Sequence, residues 1–564
     1  MLKTKFDACD LSNIDLSNAQ LSDVLFNSVV LDEANLSGTD LTDAIVINTS
    51  AKHTQFTNSK LNGVMVFSDN MPVKDSSQVI VSFEHLDLPG FAVEQLKSLG
   101  ILGFKKGVSD FCDTDFSRAS AEKCEFEKSA MKRAAFIETH LEHGRFVQCD
   151  LSNADFTRAQ LTQTVFDHSN LSNAGFITAQ MTDTQIIACA LHNCDFSTSN
   201  FQGVIFQDAN LSEVKQLPAN LQHCRFINSD LSGSDLSYRN LSNAVFVDSD
   251  LKNVSFSRSN LEDITIKNCR LMGIDFSGMD LSAADFSGAK LQHAKFVGCQ
   301  LNDADFSGAD LTGADFSRSF ISDALFSGAC LKNADFSEAV LDGCDMSECE
   351  FDGMNITESK IRATDFEAVD FTRVILSATI MNTCEMKNAR FEDMNLSGCN
   401  FTDCDFEGSN LKHTILDSAN CKQVNFSKAD LSGGSLKKAN CHTANFMGTT
   451  LTGAGFHGAD LRCACFADAT AANAVFAGAR MDRAEFTRSN LTGASFIHAS
   501  APYSDFSYAV LQNADMSHTN MLQAVLHMIN DRGARWRGSN RKLVEYTDKD
   551  RAEAELWTPP VPQT

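Results

Sequence analysis

The sequence predicts an all-β, four-sided solenoid of short strands and turns, on three observations. Large apolar residues recur at every fifth position, a small residue sits two places before each, and turn-forming residues follow. The recurrence is read from positions whose numbers end in 1 or 6. From Phe6 to Val66, twelve of these 13 slots are large and apolar, Ala51 being the exception. From Phe111 to Leu526, 78 of 84 slots hold Leu, Phe, Met, Ile or Val; the others are Ala121, Gln216, Cys421, Cys441, Ala471 and Ala501. A period of five matches neither a helix at 3.6 nor a strand at 2. An α-helix would advance about 500° per repeat and smear these residues around its surface. The chain must therefore turn by a fixed angle every five residues, and four such turns close a square.

The flanking positions agree. Ala154, Ala304 and Ala314 stand two before Phe156, Phe306 and Phe316. Asp or Asn often comes next, Ser or Thr follows the large residue, and Gly, Asn or Ser comes after that, as a tight turn requires. Units such as ADFSG (304–308), ADLTG (309–313) and ADFSR (314–318) resemble the pentapeptide-repeat family over about 480 of the 564 residues. The resemblance implies a right-handed quadrilateral β-helix with four pentapeptides per coil and the large and small residues turned inward. The 84 slots then make 21 coils, roughly 100 Å long at a strand spacing of about 4.8 Å.

The interior follows from this geometry. Of 42 slots ending in 6 from 116 to 526, 29 are Phe; of 42 ending in 1 from 111 to 521, 24 are Leu. Alternate slots lie on opposite faces, so two opposing walls should carry Phe ladders and the other two Leu ladders, with rings offset rather than eclipsed. Between about 351 and 400 the ladders change: Phe351, Phe371 and Phe391 take a Leu-type face, and Ile356, Leu376 and Leu396 take the adjacent Phe-type face. Each ring gained is matched by one lost, as close packing requires. Thirteen of 19 cysteines fall two before a large residue, and Cys421 and Cys441 fall on large slots. They read as small buried hydrophobes in a reducing compartment rather than as a disulfide framework.

The chain divides into coils 1–66, a non-repeat segment 67–110, a main β-helix 111–526 and a tail 527–564. The fold class is thus all-β with a small α/β insertion and a partly helical C-terminal tail. The insertion holds an apolar run, Val79–Phe83, and a helix-like stretch from Gly90 to Leu102. Either the same corner reopens at Phe111, or 1–66 forms a separate short solenoid. Pro218 marks a degenerate coil near Gln216, and Pro502 a weak unit beside Ala501. After Leu526 the repeat is expected to stop. The tail carries Arg535, Trp536, Arg537, Arg541 and Trp557, a candidate docking segment, and part of it is expected to cover the open last coil. The family resemblance also implies dimerisation through the C-terminal end.

No constellation for chemistry stands out. His140 and His143 fall on a solvent-facing turn. Cys463 and Cys465 lack a matched second pair, since Cys421 and Cys441 occupy core slots. No glycine-rich phosphate loop follows a strand, and the many Asp are explained by the repeat. The reading is of no enzyme, no cofactor and no metal. The chain has 47 basic and 73 acidic residues and a net charge of −26, a poor match for nucleic acid or anionic membrane. It has no run of about 20 apolar residues and no signal-type apolar stretch at MLKTKFDACD. A bacterial cytoplasmic protein is expected, and the family's delivered effectors imply export by a non-Sec route as a variant.

Charge is uneven: residues 311–410 sum to −12, whereas 411–510 sum to +2. The acidic band includes Asp342, Asp345, Glu348, Glu350, Asp352, Asp365, Glu367, Asp370, Asp403, Asp405 and Glu407. It is about five coils or roughly 25 Å long, and could steer a basic partner or merely keep the chain soluble. Two functions follow. One is a non-catalytic scaffold for protein partners, with effectors and secretion-associated adaptors among the relatives the resemblance implies. The alternative, also implied by the resemblance, is mimicry of duplex DNA toward a type II topoisomerase such as DNA gyrase.

Overall fold

The structure is a computed structural model that describes residues 4–67, 109–376 and 379–557. The chain divides into two compact units, 1–274 and 275–564. In each, the backbone pairs in parallel with the residue twenty positions on: Phe146 with Phe166 in the first unit, Leu341 with Ile361 in the second. Twenty residues therefore make one coil of four pentapeptides, as the repeat length predicts.

One corner shows why five residues turn the chain by a right angle. At Leu151–Ala154 the Ala154 N–H donates to the Leu151 carbonyl at 3.0 Å, closing a four-residue turn. Its third residue, Asn153, sits at φ 60°, the left-handed region such a turn needs. The Leu151 N–H is then free to donate to Asn170 O in the next coil at 2.8 Å. At the position before the large residue, Asp or Asn accepts from the backbone N–H two places on, as Asp155 does from Thr157 at 2.9 Å and Asp305 from Ser307 at 2.8 Å. Asp at this position is thus a turn cap.

The large slots fill the core. In the first unit Phe116, Phe136, Phe156, Phe176 and Phe196 stack with centroids 4.8–5.0 Å apart. Phe146 and Phe166 stack on the opposing wall at 5.1 Å, and the two ladders meet edge to face, Phe146 lying at 86° to Phe156. In the second unit Leu301, Phe306, Leu311 and Phe316 each mark one of the four walls. Phe306 stacks between Phe286 and Phe326 at 5.1 and 5.0 Å and meets Phe316 at 89°. The ladder shift is present: Phe371 stacks on Phe351 and Phe391 along the Leu311 wall, at 6.2 and 4.5 Å. Ile356 and Leu396 are fully buried on the Phe316 wall.

Hydroxyls and thiols at the small inward position keep a donor role. Thr164 Oγ1 donates to Leu141 O at 2.8 Å, and Cys194 Sγ to Leu171 O at 2.9 Å. Buried polar groups need such partners, so these cysteines stand in for Ser and Thr as well as for Ala. Burial pushes the thiols of Cys149, Cys189, Cys194 and Cys224 up to about 12. Thiol titration of the native protein at pH 8 should therefore label a minority of the 19 cysteines, exposed Cys463 first, and all of them after denaturation. Rapid labelling of Cys149 or Cys224 in the native state would contradict this.

Three expectations are refined or corrected. First, the described coils of the expected segment 1–66 do not form a separate solenoid: Val66 pairs with Phe126 and Ser50 with Asp110, so the same corner reopens. Residues 67, 109 and 110 belong to the coils; the strand and helix expected at Val79–Phe83 and Gly90–Leu102 lie outside the described residues. Second, the phase does slip once. Asp195 pairs with Gln216, twenty-one residues on, and Leu217 rather than Gln216 turns inward. An amide cannot fill an apolar slot without losing its hydrogen bonds, so the chain takes six residues to reach Leu217 and four to reach Leu221. Third, the repeat does not stop at Leu526. Asp515 pairs with Arg535, Asn520 with Asn540 and Val525 with Glu545, completing one more coil. The apolar rule missed it because its slots hold Asp531, Trp536, Arg541 and Tyr546.

Candidate functional site

The acidic band resolves into one wall and its two edges. On the Phe306 wall the outward residues Asp345, Asp365, Glu385 and Asp405 pair in register and form a carboxylate column, headed by Leu325. Asp342 and Asp403 lie at the corner toward the Leu301 wall, and Glu348, Glu367 and Glu407 at the corner toward the Leu311 wall. The structure thus brings eight of the eleven predicted residues to one wall and its edges. Glu350 and Asp370 sit on the Leu311 wall, and Asp352 at the corner beyond.

Ion pairs divide this set further. Asp342 holds Arg362 at 2.6 Å, Asp352 holds Arg373 at 2.9 Å, and Asp370 holds Arg390 at 3.0 Å. Lys332 at 2.7 Å keeps the Glu350 carboxyl below its ordinary range, and Lys428 at 2.6 Å does the same for Glu407. Partial burial raises the Asp370 carboxyl, but hydrogen bonds from the Thr372 hydroxyl and N–H outweigh it and the net direction is down. Such exposed pairs add little stability, but they neutralise local charge. Asp345 and Asp365 cap the N–H groups of Ser347 and Glu367 and face no cation among the described residues. Asp405 meets Lys387 at 3.5 Å. Glu385, absent from the predicted set, completes the column and also holds Lys387, at 3.2 Å. Its signal was present: it stands at the same coil position as Asp345 and Asp365.

The docking segment divides as well. Arg535, Trp536, Arg537 and Arg541 belong to the extra coil. Trp536 occupies an inward slot, half-buried, with the Arg541 guanidinium 5.3 Å from its ring centroid and its Nε1 donating to Asp531 at 3.2 Å. Arg535 faces Asp515 at 3.6 Å, and Arg537 is exposed. This layer covers the buried slots Leu511, Met516, Met521 and Leu526. A helix, Lys549–Leu556, follows, capped by Asp548. It is fastened by Glu555, which accepts from Tyr508, from His527 Nε2 at 3.0 Å and from Arg551 at 2.7 Å. Trp557 stands apart from the other four and is exposed.

Among the described residues no group of three or more His, Cys, Asp or Glu is placed to hold a metal ion. Cys421 and Cys441 point inward, whereas Cys463 lies on an exposed corner at φ 57°. No helix among the described residues is long and apolar enough to cross a membrane. Exposed apolar residues, outside the predicted set, stand where Asp or Asn is usual: Phe320, Leu325, Ile375, Ile380 and Ile415. Their signal in the sequence is the departure from Asp or Asn at that position.

A family model described as pentapeptide repeats matches residues 9–63, 134–173, 179–215, 280–318, 321–462 and 464–500, in overlapping segments. A second, described as a pentapeptide repeat region, matches 219–288. No curated protein matches the chain. Among solved structures, HetL, a pentapeptide repeat protein involved in heterocyst differentiation regulation from the cyanobacterium Nostoc sp. strain PCC 7120, is 22% identical. The match covers 50% of this chain and 87% of HetL, with a TM-score of 0.17. A trypsin-treated form of QnrB1, a plasmid-mediated fluoroquinolone resistance protein, is 21% identical over 34% of this chain and 94% of its own, with a TM-score of 0.22. Rfr23, a pentapeptide repeat protein from the cyanobacterium Cyanothece 51142, is 17% identical over 21% of this chain and 86% of its own, with a TM-score of 0.14.

Proposed function

The chain belongs to the pentapeptide-repeat family, and from that premise we propose that it is a non-catalytic scaffold whose Phe306 wall receives a basic protein partner. The column Asp345–Asp365–Glu385–Asp405 carries this reading. Like charges one strand spacing apart, about 4.8 Å, repel and disfavour the fold. Elsewhere the same kind of position holds asparagines that bond to one another, as Asn440 does to Asn420 at 3.0 Å and Asn420 to Asn400 at 3.1 Å. Asp345, Asp365 and Glu385 forgo that gain, while Asp405 accepts from Asn425 Nδ2 at 2.8 Å; a cationic surface laid on the column would relieve the repulsion and speed encounter. Phosphate backbones would be repelled. An effector or secretion-associated adaptor role fits such a scaffold.

Affinity purification from the native host should recover a partner with the wild-type chain and lose it with Asp365→Asn, Glu385→Gln and Asp405→Asn combined. Equal recovery by both would remove the wall from the reading. A second reading, mimicry of duplex DNA toward a type II topoisomerase, is supported by the regular axial spacing of these carboxylates. A DNA gyrase supercoiling assay discriminates: inhibition at micromolar protein that the triple substitution abolishes favours mimicry, and no inhibition removes it.

A further inference from the structure

We propose that the second unit binds a further copy of this chain, the Phe306 wall of one copy against the Phe316 wall of the next; the inference rests on the docking-wall reading and names its partner. Toward its C-terminal end the Phe316 wall is bordered by cations, whereas further up it carries Asp315 and Asp335. Lys437 and Lys438 follow the slot Leu436, and Arg537 follows the slot Trp536 five coils on, at the corner toward the Leu301 wall; all three are exposed, and none has a carboxylate partner among the described residues. Arg532 stands at the corner of the same coil. The two carboxylates nearby are engaged: Asp417 accepts from Lys437 N–H and Ser435, and Asp515 faces Arg535.

The cationic and anionic surfaces lie on opposite sides of the Phe core, since their slots are ten residues apart within a coil. They point away from each other, and one copy cannot satisfy itself. They are also offset along the axis, the carboxylate column ending at Asp405 and the cations beginning at Lys437. A second copy, stacked with a stagger of several coils, places one surface against the other. Apolar side chains are available at the contact on both sides: Leu325 heads the carboxylate column, and Ile415 lies on the Phe316 wall beside the cations. Because two different surfaces meet, the contact is heterologous and does not close on itself; it propagates. Charge dominates it, so added salt weakens it, the screening length falling to about 3 Å at 1 M.

Sedimentation of the full chain over a range of concentrations tests this. In 20 mM NaCl the mass should grow with concentration past the dimer, and in 500 mM NaCl it should fall to the monomer. A variant with Lys437→Gln, Lys438→Gln and Arg537→Gln should stay monomeric in low salt, as should one with Asp365→Asn, Glu385→Gln and Asp405→Asn. All six residues are surface side chains, so neither variant should melt below the wild type. Mixing the two leaves one intact wall of each kind, and should give a complex of one to one that grows no further. A wild-type chain monomeric at all salt and protein concentrations, or a mixture that fails to associate, overturns the self-contact. Either result leaves the capture of other basic proteins to be decided by the affinity experiment.

Discussion

Phe306→Asp should leave the protein unfolded or insoluble at temperatures where Phe306→Leu remains folded. Phe306 is fully buried, stacked on Phe286 and Phe326 and touched at its edge by Phe296 and Phe316. Truncating such a ring to Ala would cost about 3–5 kcal/mol through lost transfer energy and cavity. Asp adds a carboxylate with no cation or donor in reach, and an unpaired buried charge costs more than the cavity. The total approaches the whole stability of an ordinary domain, about 5–15 kcal/mol. Leucine already occupies equivalent slots, so Phe306→Leu should lower the melting temperature by only a few degrees. Thermal melting by circular dichroism checks both; a Phe306→Asp chain melting with the wild type would refute the inward assignment.

Removal of residues 527–564 should cause aggregation. It uncovers Leu511, Met516, Met521 and Leu526 together, all buried beneath the last coil. At about 1.5–3 kcal/mol for each such side chain, roughly 6–12 kcal/mol of burial is forfeited, and an unpaired strand edge is opened. Removal of 547–564 alone leaves that coil intact and takes away a helix fastened chiefly through Glu555. That shorter truncation should remain soluble and melt within a few degrees of the full chain. Light scattering of the two proteins side by side separates capping from helix docking, and equal behaviour would refute the capping role of the Trp536 layer.

The periodic part of the fold was legible because one rule repeats. A buried slot tolerates few residue types, so Phe, Leu and their substitutes report geometry directly, down to the exchange of ladders at Phe351–Phe391. Two features escaped for physical reasons. The place of the slip showed as a degenerate coil beside Pro218, but a fixed period registers only Gln216 as an exception, because Leu221 is back in phase four residues after Leu217. The last coil escaped because an end layer faces water on one side, so Asp531 and Arg541 are tolerated in slots that are apolar elsewhere. Membership of the acidic wall was half legible. Asp345, Asp365 and Asp405 share one coil position, whereas Glu350 and Asp352 are close in sequence but point from other walls. Exposed Phe320 and Ile380 stand at outward positions, where water tolerates polar and apolar side chains alike and the period imposes no residue type.

The central claim is that twenty residues make one coil of a four-sided solenoid with every fifth side chain inside. Deletion of residues 297–316 tests it most directly, measured by thermal melting beside deletion of 297–299 alone. Loss of a whole coil joins Phe296 to Ser317 in the correct phase, and the protein should fold and melt within a few degrees of the wild type. Loss of three residues leaves Ala304, Ala309 and Ala314 in the large slots and turns Asn302, Ser307 and Thr312 into the small inward positions, which should abolish cooperative melting. The opposite ranking, with the three-residue deletion the better folded, would contradict the account.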